Sequence, residues 1–129
     1  MSNYFVKGLA HIGIFTKDAR ACADFYMKHL NFRFQYEHML GDLLLVFVEC
    51  GGCVIEFVQL GDVEDNGRVD HVALEVQGIE ALVEKLKSEG IEFETEEIGK
   101  TPDFGPNGMK NIFFKGPAGE RIELFDYSK

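Results

Sequence analysis

Two parts of this chain repeat one another. Residues 9–14 and 69–74 are both alternating apolar segments with a histidine in third place, and an amphipathic stretch follows each of them. Further along, residues 52–57 and 119–124 share the pattern Gly-x-x-Ile-Glu followed by an apolar residue. Because the two cognate pairs occur in the same order, the sequence predicts a duplicated module in which one loop has been lengthened.

Each repeat contains a segment with the periodicity of an amphipathic helix. In the first repeat the apolar positions are Ala19, Cys22, Ala23, Tyr26 and Leu30. In the second they are Ile79, Leu82, Val83 and Leu86. Asp18 is placed to cap the first helix and Gly90 to end the second. Short runs of β-branched and aromatic residues flank both helices, so each half is predicted to be a βαβββ unit.

The predicted organisation is a single α+β domain built from two tandem modules, residues 6–60 and 69–127. The connector 61–68 is polar and rich in turn-forming residues, as expected of a linker. A length of 129 residues suits one compact domain with its own hydrophobic core.

The charge balance argues against several classes of partner. The chain carries 13 basic and 22 acidic side chains, a formal net charge of −9. An electronegative surface disfavours nucleic acids and anionic membranes. No apolar run approaches the roughly 20 residues that span a bilayer, and the N-terminal residues lack the apolar core of a signal peptide. We therefore expect a cytoplasmic protein that acts on a small molecule.

The three cysteines do not form a disulfide framework, because their number is odd. The spacing Cys50-Gly51-Gly52-Cys53 suggests either a redox motif or half of a zinc site. A zinc site needs a second pair of ligands, and a redox motif usually opens a helix. Two glycines between strand-like runs are instead typical of a β-hairpin turn, which is the interpretation we favour.

Four polar residues occupy repeat-equivalent places in the predicted strands: His11, Glu56, His71 and Glu123. Side chains alternate between the two faces of a strand, so each of the four lies opposite its aliphatic neighbours. A single histidine or glutamate in a strand usually has a structural or solvated role. Together, however, imidazole nitrogens and carboxylate oxygens are good ligands for a borderline divalent cation. Their equivalent positions therefore favour a metal site.

The other two histidines have no repeat partner. His29 lies near the end of the first predicted helix, and His38 lies beside a turn at Gly41-Asp42. We expect both side chains on the surface, where an imidazolium at a helix end needs no special role.

Residues 99–108 interrupt the symmetry of the two modules. This segment is too rich in glycine and proline for a helix or a central strand. Long irregular loops in compact domains often have a functional role, so the segment is either a lid over a site or a surface crossover.

The His-Ile-Gly-Ile segment at 11–14, the helix ending in Phe25-Tyr26 and the two Ile-Glu strands resemble the vicinal oxygen chelate (glyoxalase/bleomycin-resistance/dioxygenase) superfamily. The resemblance covers residues 7–127. It implies paired βαβββ modules that form a cupped mixed sheet with the helices outside, and often a homodimer. Its metal positions fall on His11, Glu56, His71 and Glu123.

A His-Glu-His-Glu set looks most like glyoxalase I, or lactoylglutathione lyase. The resemblance implies one divalent ion per site (nickel, zinc or cobalt) and a substrate formed from a thiol and a 2-oxoaldehyde such as methylglyoxal. It implies an isomerase or lyase reaction in which the metal stabilises an enediolate. Glu123 first, and Glu56 second, would carry the proton between adjacent carbons.

Other features leave the substrate open. Phe15 and Leu60 stand where glyoxalase I has an arginine and an asparagine that contact glutathione, whereas Lys110 could hold an anionic substrate or be a surface lysine. A methylmalonyl-CoA epimerase is one alternative, although its additional glutamate falls on Leu43 or Leu44 here. A drug-binding protein without catalysis is the other alternative, with the cup lined by Phe15, Phe47 and Phe104.

Overall fold

The computed structural model describes residues 3–61, 67–117 and 119–127. Within the predicted linker, residues 62–66 lie outside the described part of the chain. The chain divides into two compact units, His11–His71 and Met1–Ala10 together with Val72–Lys129.

The described residues form eight strands and two helices, which confirms the predicted α+β class. The first half contains β1 (Phe5–Thr16), α1 (Ala19–His29), β2 (Arg33–Leu40), β3 (Leu43–Cys50) and β4 (Cys53–Gln59). The second half contains β5 (Val69–Gln77), α2 (Ile79–Ser88), β6 (Gly99–Thr101), β7 (Met109–Lys115) and β8 (Arg121–Tyr127). Both halves therefore have the predicted βαβββ order.

The unit His11–His71 is a four-stranded sheet with one helix on it. Its strand order is β2-β3-β4-β1, with β1 parallel to β4 and the other neighbours antiparallel. Alternate residues of the sheet pack against Ala19 and Ala23 of α1 in one buried apolar cluster; the sheet residues are Leu44, Val46, Val48, Ile55 and Phe57. The helix covers one face of the sheet, so the polar residues that alternate with this cluster lie on the other face.

The second unit repeats this plan with the order β5-β8-β7-β6, and β5 is parallel to β8. Ile79, Leu82 and Val83 of α2 pack in one buried core with Val76, Ile112 and Leu124 of the sheet. The first turn of α2 receives a cap from outside the helix, because the Ile79 N–H donates to Asp126 Oδ2 at 3.2 Å. The predicted stop at Gly90 is confirmed, since α2 ends at Ser88 and Gly90 has a φ of 90°.

Among the described residues, α2 is followed by an isolated bridge before the next strand begins. Phe93 forms an isolated bridge to Phe114, and the chain joins the sheet only at β6, which pairs with β7. The following loop is anchored by Phe104, whose buried ring packs on Phe125 at 5.8 Å and Tyr127 at 5.7 Å. Residues 99–108 thus contain an edge strand and a segment packed against the sheet of their own unit.

The structure confirms the hairpin at the cysteine motif. Cys50 and Cys53 are opposite each other in the β3–β4 register. The residues between them, Gly51 and Gly52, have φ values of 53° and 83°. Positive φ at both central positions is required by the tight turn that matches the twist of two paired strands, and glycine adopts it without steric cost.

Asp18 caps α1 and is expected to contribute measurably to stability. Its Oδ1 atom accepts from the Ala21 N–H at 3.0 Å. We expect Asp18→Ala to lower the free energy of unfolding by about 1 kcal/mol, because the N–H loses its partner. Urea denaturation followed by circular dichroism measures this change. Asp24→Ala makes the same chemical change at an exposed position within α1 and should alter stability by less than about 0.5 kcal/mol. Equal losses in both variants would contradict the capping role.

Candidate metal centre

Three of the four predicted ligands meet within the unit His11–His71. His11 lies on β1, Glu56 on β4 and His71 at the start of β5. Parallel pairing of β1 with β4 sets Gly13 opposite Glu56, so His11 and Glu56 project from the face that α1 does not cover. The approach to β5 is tied to β1 by the Phe15 N–H, which donates to the Arg68 carbonyl oxygen at 3.0 Å.

The donor atoms of this triad (His11, Glu56 and His71) lie within 4.8 Å of one another. The Nε2 atoms of His11 and His71 are 3.2 Å apart. Glu56 Oε1 lies 3.5 Å from the first Nε2 atom and 3.2 Å from the second. The three side chains are only 3%, 9% and 6% exposed in chain order, so water contributes little to their solvation. Two imidazole nitrogens and a carboxylate oxygen therefore converge on one point.

Asp70 orients the His71 ring. Its Oδ2 atom lies 3.0 Å from His71 Nδ1, and its side chain is 6% exposed. A carboxylate at Nδ1 favours the tautomer in which Nδ1 carries the hydrogen, which leaves the Nε2 lone pair directed at the triad. Sequence reasoning missed this residue. The available signal was an aspartate next to the second histidine, where the first repeat has Ala10.

Gly13 provides the space that the His71 ring occupies. A Cβ atom built at this position would overlap the ring, falling 2.5 Å from Nδ1 and 2.6 Å from Nε2. The second repeat has Ala73 at the corresponding place, opposite Glu123 in the β5–β8 register. A glycine is therefore needed where the imidazole crosses β1.

Two of the predicted substrate-binding aromatic residues lie in the same unit as the triad. Phe47 is buried and meets the His11 ring edge-on, with centroids 5.5 Å apart. Phe15 is half-buried, and the Arg68 guanidinium lies 4.8 Å from its ring centroid. Phe47 thus contacts a residue of the triad directly, whereas Phe15 packs against a cation.

The remaining predicted ligand, Glu123, belongs to the other unit. It is buried on β8, and the Asn111 side-chain amide donates to its Oε2 atom at 2.9 Å. Its register repeats that of Glu56, because each glutamate is opposite the second residue after a module's histidine. The backbone equivalence expected from the repeat is thus present.

Two further predicted substrate residues, Phe104 and Lys110, also belong to the second unit. Phe104 anchors the loop described above. Lys110 Nζ donates to Glu80 Oε2 at 2.6 Å, which raises the pKa of the ammonium and lowers the pKa of the carboxyl below its ordinary value of 4.5. Lys110 is therefore already engaged by a carboxylate.

The expectation for the other histidines is confirmed at His29, which is exposed, and wrong at His38. His38 is 8% exposed, stacks on Tyr36 and lies 3.4 Å from its hydroxyl oxygen through Nδ1. His38 is opposite Leu45 of β3, which is also buried, so the side chain is covered although a turn lies next to it.

Comparison with known proteins establishes the family of this chain. Residues 8–124 match the model of the Glyoxalase/Bleomycin resistance protein/Dioxygenase superfamily. The chain belongs to this superfamily. It is 32% identical over 126 residues to the uncharacterized protein YwbC of Bacillus subtilis (strain 168), covering 92% of this chain and 97% of that protein.

Solved structures share the fold at low identity. A hypothetical protein, BH1468 from Bacillus halodurans C-125, superposes with a TM-score of 0.79 at 20% identity over 99% of this chain and 97% of that one. Methylmalonyl-CoA epimerase from Mycobacterium tuberculosis has a TM-score of 0.80 at 19% identity, and the match covers 100% of this chain and 93% of the epimerase chain. A variant of methylmalonyl-CoA epimerase from Streptomyces coelicolor, in complex with 2-nitronate-propionyl-CoA, has a TM-score of 0.82 at 16% identity. That match covers 97% of this chain and 100% of the epimerase chain.

The donor set of this superfamily member suits a divalent metal ion. Neutral imidazole and carboxylate are ligands for zinc, nickel and cobalt, and the buried carboxylate would be compensated by a cation. The Asp70–His71 pair supplies the outer carboxylate that commonly supports a ligating histidine. The triad could therefore hold a metal ion. Among the described residues, no helix has the length and apolar character needed to cross a membrane.

We expect Gly13→Ala to impair metal binding, because the new methyl group would displace the His71 ring. Affinity for Zn²⁺, measured by competition with a chromophoric chelator, should fall by at least about tenfold. Gly61→Ala is the matched control, since a Cβ there meets nothing within 4 Å. Unchanged Zn²⁺ affinity in Gly13→Ala would contradict the role of His71 as a ligand.

Lys110→Met tests the structural role of that lysine. Loss of its hydrogen bond and charge should raise the pKa of Glu80 toward 4.5. A pKa lowered by folding stabilises the folded state above the ordinary pKa, and this stabilisation is lost as the pH falls through the folded pKa. The variant should therefore be less pH-sensitive in the acid range. Carboxyl NMR titration measures the shift, and the exposed Lys115→Met is the control.

Proposed function

We propose that this protein is a metal-dependent isomerase or lyase that transfers a proton at a carbon next to a carbonyl group. The observation that carries this proposal is the buried convergence of His11, Glu56 and His71, with Asp70 behind one of the imidazoles. A protein that only sequestered an apolar ligand would have no use for three converging donor atoms that are costly to bury.

The proposed cofactor is one divalent ion, held by His11, Glu56 and His71 with Glu123 as the fourth ligand. Nickel, zinc and cobalt all accept this set of nitrogen and oxygen ligands. When bound, such an ion supplies Lewis-acid polarisation of substrate oxygens. The chain's own contribution is to fix the donors before binding, and the Asp70 carboxylate, which accepts from His71 Nδ1, supports this.

Glu123 is the proposed proton carrier. Glu56 Oε1 lies within 3.5 Å of both imidazole Nε2 atoms, so its carboxylate is committed to the triad. Glu123 is instead oriented by the Asn111 amide, which fixes one of its oxygens. A positioned carboxylate that takes a proton from one carbon and returns it to the next typically contributes 10²–10⁴-fold to the rate.

The first candidate substrate is the adduct of a 2-oxoaldehyde, such as methylglyoxal, with a thiol, or a similar small hydroxy-carbonyl compound. The residues that would recognise glutathione in a glyoxalase I-like enzyme are absent at Phe15 and Leu60. Phe15 occupies the first of these places, and the Arg68 guanidinium lies over its ring. A thiol smaller than glutathione is therefore a sensible first test.

The second candidate is methylmalonyl-CoA, because epimerases acting on that compound share the fold. A second carboxylate base on β3 would be expected for such a reaction. Leu44 instead packs under α1, and the acid on β3, Glu49, pairs with Arg33 at 3.1 Å. These contacts favour the single-carboxylate reaction of the first candidate.

The experiment combines metal analysis with proton exchange. Purified protein should contain about one divalent ion per chain. Incubated in deuterated buffer with methylglyoxal and a series of thiols, and separately with methylmalonyl-CoA, it should incorporate solvent deuterium into one product. Glu123→Gln should lower this exchange by about 10²–10⁴-fold and leave the folded structure intact, because an amide cannot accept the proton. Metal content of the variant is measured separately, to distinguish lost ligation from lost proton transfer.

Glu92→Gln, at an exposed position, is the matched control and should retain full activity. A homodimer and a cytoplasmic location are part of the proposal, and sedimentation of the purified protein tests the first. Metal-free protein that exchanges no substrate but binds an aromatic drug would favour the sequestering alternative. Full exchange in Glu123→Gln would overturn the assignment of the base.

A further inference from the structure

The β3–β4 turn places two thiol groups opposite each other. Cys50 ends β3, Cys53 begins β4, and the two are partners in the strand register. The turn between them contains only Gly51 and Gly52, both with positive φ. Both cysteines are free thiols. A motif that forms an ordinary hairpin therefore also creates a cross-strand pair of cysteines.

The backbone geometry of such a pair is compatible with a disulfide bond. Opposite residues of antiparallel strands have Cα atoms about 4.5–5.5 Å apart, and disulfides span about 4.4–6.8 Å between Cα atoms. Opposite residues also project from the same face of the sheet. The Cα separation thus permits a link in the existing strand register. The Cβ atoms, about 4.5–5.5 Å apart in such pairs, must approach each other slightly to reach the roughly 3.5–4.5 Å of a disulfide.

The three cysteines differ in access to solvent and in surroundings. Cys53 is exposed and Cys50 is half-buried. Cys22 is half-buried on α1, packs against the core cluster beneath that helix, and lies 3.1 Å from Thr16 Oγ1 through its sulfur. An exposed thiol reacts faster than a packed one, so Cys53 should react first and Cys22 last.

We propose that Cys50 and Cys53 form a dithiol modification site that reacts reversibly with low-molecular-weight disulfides. In the first step the Cys53 thiolate attacks one sulfur of the small disulfide and expels a thiolate. In the second step the Cys50 thiolate attacks the Cys53 sulfur and expels the other half. The protein loses two electrons and two protons, and the small disulfide is reduced to two thiols.

This site is independent of the proposed function, because neither thiol belongs to the triad. The cysteine pair nevertheless ends the same ladder that carries Glu56, three register positions from the Phe47–Glu56 pair. The link would lie at the turn end of that ladder, where Gly51 and Gly52 already connect the strands, and would join the register pair next to the turn covalently.

Glutathione disulfide is the probe. The folded wild-type protein is incubated with it, and thiols are counted before and after with a chromogenic reagent. We expect the loss of two of the three thiols, a mass lower by two hydrogen atoms, and a peptide map that links Cys50 to Cys53 with Cys22 unmodified. Dithiothreitol should restore all three thiols.

Cys50→Ser is the informative variant, because it keeps the exposed thiol and removes the one that resolves it. It should retain one glutathionyl group at Cys53, whereas Cys22→Ser should behave as the wild type. A stable glutathionyl adduct on the wild-type protein, a disulfide between two chains, or no reaction at Cys53 would each overturn the proposal. Reaction of all three thiols in denaturant checks that protection of Cys22 comes from the fold.

Discussion

Burial of a carboxylate beside two imidazoles is the interaction on which the candidate site depends. Removing Glu56 from water costs free energy unless a positive charge or several hydrogen-bond donors replace its hydration. His11 and His71 place two nitrogens within 3.5 Å of it, and a cation held among these groups would offset the cost. Binding of a cation at the triad would therefore lower the free-energy cost of burying Glu56.

The sheet holds these groups together because its two faces carry different kinds of residues. In the unit His11–His71, the face beneath α1 is apolar and supplies the packing free energy, while the opposite face carries the donors. Because β1 and β4 are parallel, residues far apart in sequence become neighbours, as Gly13 and Glu56 do. Phe47 and Asp70 then restrict the two imidazoles, which reduces the entropy lost when a ligand binds.

The duplicated module explains why the two halves share a backbone plan but differ in chemistry. Glu56 and Glu123 occupy equivalent register positions, yet the first is surrounded by imidazoles and the second accepts from Asn111. One carboxylate is thus placed beside imidazole nitrogens, and the other is held by an amide donor. A duplication followed by divergence of neighbouring residues is sufficient to produce this division, with Gly13 and Ala73 as its clearest marks.

The sequence by itself determined the βαβββ order, both helices and the cysteine hairpin, because periodicity, caps and turn glycines act over a few residues. It also indicated His11, Glu56 and His71, since the repeat marked them. Only the tertiary structure decided what surrounds them. The Asp70–His71 contact joins sequence neighbours, but its burial beside the triad became apparent only in the fold. The space that Gly13 leaves for the His71 ring and the burial of His38 opposite Leu45 depend on which strands become neighbours. Such contacts arise between distant segments, and local patterns carry no information about them.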